Sequence, residues 1–387
     1  MTATRPTVRW ALPGGLVAAV VATIALGPLV QTGAAGEVPE PAAGVLLADL
    51  LGAGPKGLSG TVVTRVDLGM PLLPAGLGGA ADGSWSALLT GDSTLRVWAG
   101  PAGVRVALLG VLAESDLVIS NADAWLWSSP DGTVTHLGTA DLVGGDGGSG
   151  SAEGADPSGG GASSDLLSAL AALAGSSTVS TGENDVVAGR TVHQLVLAPS
   201  EPGSLIGSVR VAIDAEQGVP TRLQVFAAGD PGRPALEVGF TKVAFTEPDA
   251  DVFAFTPPAD ATVREGLGQD PSGASDGASD GAAGSGVGDA PVTVVGQGWP
   301  TVVVTRVPAQ LGDGGDNQGS LGQLLALMPQ VSGSWGSGRL LTTRLFSVLL
   351  TDDGRLFAGA VDGDRLQQAA ADQVAPGQVA PGEVAQP

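Results

Sequence analysis

Residues 93–110 read STLRVWAGPAGVRVALLG. Apolar and polar side chains alternate on both sides of Gly100-Pro101-Ala102-Gly103, so the stretch predicts strands 93–100 and 103–110 joined by a tight turn. The same period of two runs outward in both directions. It is present in LSGTVVTRVDL (58–68), DLVISNADAWLWSS (116–129), TVTHLG (133–138) and RTVHQLVLAP (190–199), then in GSVRVAIDAEQGVPTRLQVFAA (207–228) and ALEVGFTKVAFTEP (235–248). Short turns at Pro130–Gly132, Asp214–Gly218 and Gly229–Gly232 separate these runs. Consecutive strands with tight turns imply an antiparallel meander.

Helical signal is sparse. Residues 42–51 (AAGVLLADLL), 165–174 (DLLSALAALA) and 321–328 (LGQLLALM, ended by Pro329) predict short apolar helices, and 366–371 a last turn. The expected class is α+β, one sheet with a few helices gathered on one face. After a break, VTVVGQGWPTVVVTRV reads as strand, and RLLTTRLFSVLL-TDDG-RLFAGAV as a hairpin turning at Asp353-Gly354. This block, 291–371, is either a small second domain or further strands of the same sheet.

Residues 144–164 and 266–290 are rich in Gly, Ser and Asp and too poor in apolar side chains to offset the entropy of ordering. Residues 372–387 carry a QVAPG repeat that reads as a disordered Pro-rich tail. At the start, Arg5 and Arg9 precede the apolar run LVAAVVATIAL (16–26), and small residues follow at Gly33-Ala34-Ala35. Residues 1–36 therefore read as a signal peptide cleaved after Ala35, or as a retained anchor over Trp10–Val30. Either reading places the body, 37–265 and beyond, outside the cytoplasm, secreted or tethered to the outer face of the cytoplasmic membrane.

Composition narrows the chemistry. With no Cys there is no thiolate metal site, disulfide or cysteine nucleophile. A net charge of −22, from 39 acids against 17 bases, disfavours a phosphate backbone as partner, so no nucleic acid is expected. Only His136 and His193 are present, each mid-strand, and no GxSxG elbow, HExxH or phosphate-binding loop accompanies them. Asp313, Asp316 and Asn317 could hold Ca²⁺ but lack a full ligand ladder and read more simply as a solvated turn. Gly76–Ala81 fits a dinucleotide fingerprint only outside a strand–turn–helix context. No catalytic residue, metal or cofactor is expected.

Apolar residues occur in adjacent pairs, Val97-Trp98 and Ala124-Trp125 among them, so both faces of the sheet must be covered in part. One arrangement that satisfies this is a sandwich. The other is a strongly curved sheet with an apolar concave face partly plugged by helices, a groove for acyl chains.

Three stretches bear on that choice. DVFAFTPP (251–258) resembles the terminal strand signature of the bacterial lipoprotein-carrier, LolA-like family. AIDAEQGVPTRL (212–223) is similar to that family's Asp–Gly–Pro-x-Arg hairpin, and NADAWLWSSPD (121–131) to its aromatic strand before a Pro turn. LRVWAGPAGVRV (95–106) fits its paired strand with a following Arg. The resemblance spans roughly 40–265, and the layout is similar to actinobacterial members and to the related RseB/MucB-like sigma-factor regulatory proteins, which add a smaller C-terminal domain. It implies a LolA-like half-barrel that holds acyl chains of lipids or lipoproteins and is not an enzyme. The alternative it implies is an envelope-stress module that contacts a membrane-bound anti-sigma partner. The expected lining is Val97, Val104, Val106, Leu108, Trp125, Trp127, Val211, Ile213, Phe253 and Phe255 in a monomeric protein.

Overall fold

The structure is a computed structural model and describes residues 56–70, 91–120, 123–138, 175–265, 293–306 and 328–373, with Ala43, Leu46, Trp85 and Leu88. Its larger unit is a twelve-stranded sheet. A first meander contains β1 (Leu58–Val66), β2 (Ser93–Gly100), β3 (Gly103–Leu109), β4 (Glu114–Ser120), β5 (Asp123–Ser128) and β6 (Thr133–Gly138). A second contains β7 (Ser177–Val187), β8 (Arg190–Pro199), β9 (Ile206–Asp214), β10 (Pro220–Ala227) and β11 (Asp230–Ala244). Antiparallel pairing of β1 with β11 joins them. The last strand, β12 (Thr262–Glu265), lies parallel to β6 at the edge, giving the order β12-β6-β5-β4-β3-β2-β1-β11-β10-β9-β8-β7. The sheet is curved and does not close into a barrel, so the half-barrel expectation holds.

Several elements differ from the sequence expectation. The run 116–129 is two strands, β4 and β5, which pair antiparallel with each other. β7 was not expected: it is a polar edge strand, mostly exposed along its length, so no apolar alternation marks it. DVFAFTPP is not a strand. It begins in a 3-10 turn, Ala250–Phe253, capped by the Asp249 carboxylate accepting from the Asp251 N–H, and continues without strand pairing to β12. Of the expected helix 42–51, Ala43 and Leu46 are helical. The leader, both Gly-rich stretches, the Pro-rich tail beyond Gln373, the helices 165–174 and 321–327, and Asp313, Asp316 and Asn317 lie outside the described residues.

The C-terminal block forms its own antiparallel sheet. Its strands are β13 (Thr293–Val295), β14 (Val302–Arg306), β15 (Gln330–Gly333), β16 (Gly336–Thr342), β17 (Ser347–Thr351) and β18 (Arg355–Gly359), in the order β13-β14-β18-β17-β16-β15. Where a last turn was expected there is a helix, α1 (Gly363–Asp372), whose N-terminus is capped by the Asp362 carboxylate accepting from the Arg365 N–H at 2.8 Å. Leu366, Ala369 and Ala370 on one side of α1 pack on Val302, Leu349 and Phe357 of the sheet.

Two side chains of this block enter the core of the larger sheet. Leu345, in the β16–β17 connection, is buried among Leu58, Val62, Leu95 and Val238. Trp299 is buried with Leu195, Leu197, Val211 and Ile213, and its indole N–H donates to Ser177 Oγ at 2.8 Å. Beside Leu345, Arg344 donates to Asp67 Oδ2 (3.0 Å) and Asp230 Oδ2 (2.8 Å), and its backbone N–H to Leu68 O (2.8 Å). Apolar insertion makes this docking strong and the arginine fork fixes its register. Replacing Leu345→Ala should cost about 2–5 kcal/mol in urea unfolding. A loss below about 0.5 kcal/mol, the level of an ordinary surface change, would show that Leu345 does not anchor the block.

Candidate functional site

Strand register assigns every side chain of the large sheet to one of two faces, because directly paired residues share a face and neighbours alternate. One cross-strand row runs Gly60–Val97–Val106–Leu117–Leu126–Thr135. The adjacent row on that face runs Leu58–Ala99–Val104–Ile119–Ala124–Leu137. Across the β1–β11 seam the face continues as Thr64–Val238–Leu223–Val211–Leu195–Thr181 and Val66–Leu236–Val225–Val209–Leu197–Val179. It is apolar over almost its whole width. Leu46, Leu88, Leu345 and Trp299 pack on it.

The structure does not bring the ten expected lining residues to one surface. Val97, Val104, Val106, Leu108, Val211 and Ile213 lie on this apolar face and are buried. The first four belong to the cluster around the β1–β2 strands and the last two to the cluster under Trp299, bridged by Ile206, Val209 and Leu223. Trp125 and Trp127 fall on the opposite face, in the rows Ser59–Trp98–Arg105–Val118–Trp125–His136 and Arg96–Ala107–Asp116–Trp127–Val134. Phe253 and Phe255 belong there too: Phe253 is buried against β3 and β4, and Phe255 lies 5.7 Å from Trp125 between ring centroids.

Over β3 to β5 that second face is covered by Val252–Phe255, part of a strap that runs from the end of β11 across to the β6 edge. Arg105 holds it down. Its guanidinium makes a bidentate pair with the buried Asp116 (3.1 Å at both contacts), lies over Trp98, and donates to Val252 O at 3.4 Å. Thus the Arg that follows the Gly-Pro turn in LRVWAGPAGVRV clamps the strap. The AIDAEQGVPTRL hairpin has a similar internal clasp. Asp214 is fully buried at the side chain, ion-paired to Arg190, and accepts from the Glu216 and Gln217 N–H groups at 3.0 and 2.8 Å. Gly218 takes φ 66° to close the turn.

The two histidines occupy structural positions. His193 is buried, with Nδ1 2.9 Å from Asn184 Oδ1. His136 lies 2.8 Å from Glu265 Oε2 through Nδ1 and 3.1 Å from Asp123 Oδ1 through Nε2, and it stacks on Trp125 with centroids 4.2 Å apart. It therefore ties β12 and β5 to β6. Among the described residues no group of three or more His, Cys, Asp or Glu could hold a metal ion, and no helix is long and apolar enough to cross a membrane.

No protein-family model matches the chain, and no curated protein matches it. Among solved structures it is similar to a chain of the MucA/MucB complex of Pseudomonas aeruginosa, at 15% identity and a TM-score of 0.38, over 81% of this chain and 91% of that one. A structure of MucB is similar at 14% identity and a TM-score of 0.38, over 85% and 94% of the two chains. A LolA-superfamily protein from Nitrosomonas europaea is similar at 10% identity and a TM-score of 0.20, over 56% and 98%.

His136 makes the β12 edge sensitive to pH. Two ionised carboxylates only accept, so bonds at both ring nitrogens require the imidazolium. The bonds to Glu265 and then Asp123 raise its pKa above the ordinary 6.5. A pKa raised by folding adds stability that is complete below the unfolded value and lost as pH rises through the folded one. Exchange protection of the 262–265 amides, corrected for intrinsic rate, should therefore be complete below the ordinary histidine range and fall as pH rises through the raised folded value. His136→Gln should remove that dependence, and equal pH dependence in both proteins would refute the latch.

Proposed function

We propose that the chain binds acyl chains of lipids or lipoproteins on the apolar face of its open sheet, acting outside the cytoplasm as a carrier-type binding protein without catalysis. The observation that carries this is the continuity of that face from β6 to β8 in a sheet that does not close. Toward β4 and β5 its side chains Leu117, Ile119 and Leu126 are only half-buried, where Val97 and Leu95 are fully buried. In this reading the lining consists of the six aliphatic residues already placed there, extended by Leu117 and Leu126. Trp125, Trp127, Phe253 and Phe255 serve the strap on the other face.

A second reading, a regulatory module with a membrane-bound protein partner, is favoured by one feature. The C-terminal sheet is anchored through Leu345 and Trp299 in the same two clusters that floor the proposed lining. Ligand on that face would bear directly on where the second sheet sits.

Two measurements test the proposal. Native mass spectrometry and lipid extraction of protein from its own host should find acyl ligands. A fluorescent fatty-acyl probe should bind about tenfold more weakly to Leu126→Gln, since a contact of leucine size is lost, and unchanged to Trp127→Ala on the opposite face. The reverse pattern would sink the assignment of the face. A specific protein captured by acyl-free chain would favour the regulatory reading.

A further inference from the structure

Two hydroxyls interrupt the apolar face at its centre. Thr64 of β1 and Ser93 of β2 are register partners, so their side chains stand next to each other. Thr64 is 0% exposed and Ser93 6%. Their surroundings on the face are aliphatic: Val62 and Val66 along β1, Leu95 along β2, and Val238 as the partner of Thr64 on its other side. Among the described residues neither Thr64 Oγ1 nor Ser93 Oγ has a hydrogen-bond partner. The indole Nε1 of Trp85, which packs against the same cluster, is likewise buried and unpartnered. Burying such groups unpaired is costly, and folded proteins keep few of them. Here two lie in register on the surface proposed to take acyl chains.

We infer that Thr64 and Ser93 form a polar anchor for a neutral oxygen function of the bound molecule, an acyl ester carbonyl. The inference rests on the acyl-binding reading and deepens it. Hydroxyls can donate and an indole N–H can only donate, so the matching group is an acceptor. Charge selects among acceptors. Arg65, the next residue, alternates to the opposite face and pairs with Glu237. An ionised carboxylate or phosphate among Val62, Leu95 and Val238 would be buried without a counter-charge, whereas an ester carbonyl carries none. The site thus prefers esterified acyl chains over free fatty acids and over plain hydrocarbon.

The test uses the full chain and displacement of an apolar fluorescent dye by methyl palmitate, palmitate and hexadecane. Wild type should bind the methyl ester about tenfold more tightly than the alkane, as one to two hydrogen bonds allow. The double variant Thr64→Val, Ser93→Ala should lose that preference and keep alkane binding. Thr64→Ser, which retains the hydroxyl, should keep the preference. Because Thr64→Val preserves shape and removes an unpaired polar atom, the fold should survive, as a thermal unfolding midpoint no lower than wild type would show. Equal affinity of wild type for ester and alkane, or a preference unchanged in the double variant, would overturn this inference alone. Failure of every acyl ligand to displace the dye would overturn the acyl-binding reading with it. A water bridging both hydroxyls in a crystal of the ester-loaded protein would also overturn the anchor.

Discussion

Antiparallel pairing of β1 with β11, from Ser59 opposite Ala244 to Val66 opposite Leu236, is the seam on which the large sheet depends. Each meander is built from neighbours in sequence. Among the described strands, the two meanders pair only at this seam, between residues far apart in the chain, so its loop-closure entropy must be offset by what it buries. Val62, Val238 and Phe240 meet there, all almost fully buried. Without the seam, both meanders would expose a long unpaired strand edge. The register slips between Thr61 and Val62, and beside the slip Gly60 leaves no room for a side chain: a Cβ would stand 2.4 Å from Lys242 O. A bulge of this kind bends the strand and increases local twist, so the seam also contributes to the curvature of the open sheet.

Curvature leaves two faces to cover, and the chain covers them by different means. One receives apolar side chains from outside the sheet, Leu345 and Trp299 among them. The other receives the strap from β11 to β12. Arginine holds several of these joints: Arg105 to Asp116 beneath the strap, Arg190 to Asp214 in the β9–β10 hairpin, and Arg344 to Asp67 and Asp230 between the sheets. A planar fork suits such joints, because two donors held at fixed spacing set orientation as well as attraction. In a chain with 39 acids and 17 bases, these arginines act as local clasps.

Alternation made most of the sheet legible. The strands at 93–100, 133–138 and 190–199 lie where the pattern predicts them, because their inward side chains are buried on a regular pleat. Adjacent pairs such as Val97-Trp98 correctly signalled that both faces are covered. They could not say by what. Trp125 and Phe253 read as lining because aromatic residues in strand-like runs look alike whichever face they take, and parity relative to a partner strand is set by register. β7 was invisible because an edge strand buries little. Thr64 and Ser93 carry no sequence signal at all. In an alternating strand, hydroxyl residues usually face water, and only the register and burial of these two make them unusual.

The division between a carrier and a regulator turns on how the proposed lining and the second sheet share their contacts. Leu345 belongs to the cluster of Val97, Val104 and Leu108, and Trp299 to that of Val211 and Ile213. A ligand that lies along this face must either leave those two anchors in place or displace them. In the first case occupancy and docking are independent, and the second sheet is a lid. In the second, each weakens the other by the same factor, because coupling between two binding equilibria is reciprocal. Release of the second sheet would then free the Arg344 fork and the edges it holds near Asp67 and Asp230, so loading with lipid would be read out as a change in exposed surface. The two roles therefore differ in one quantity, the coupling free energy between the apolar face and the anchors Leu345 and Trp299.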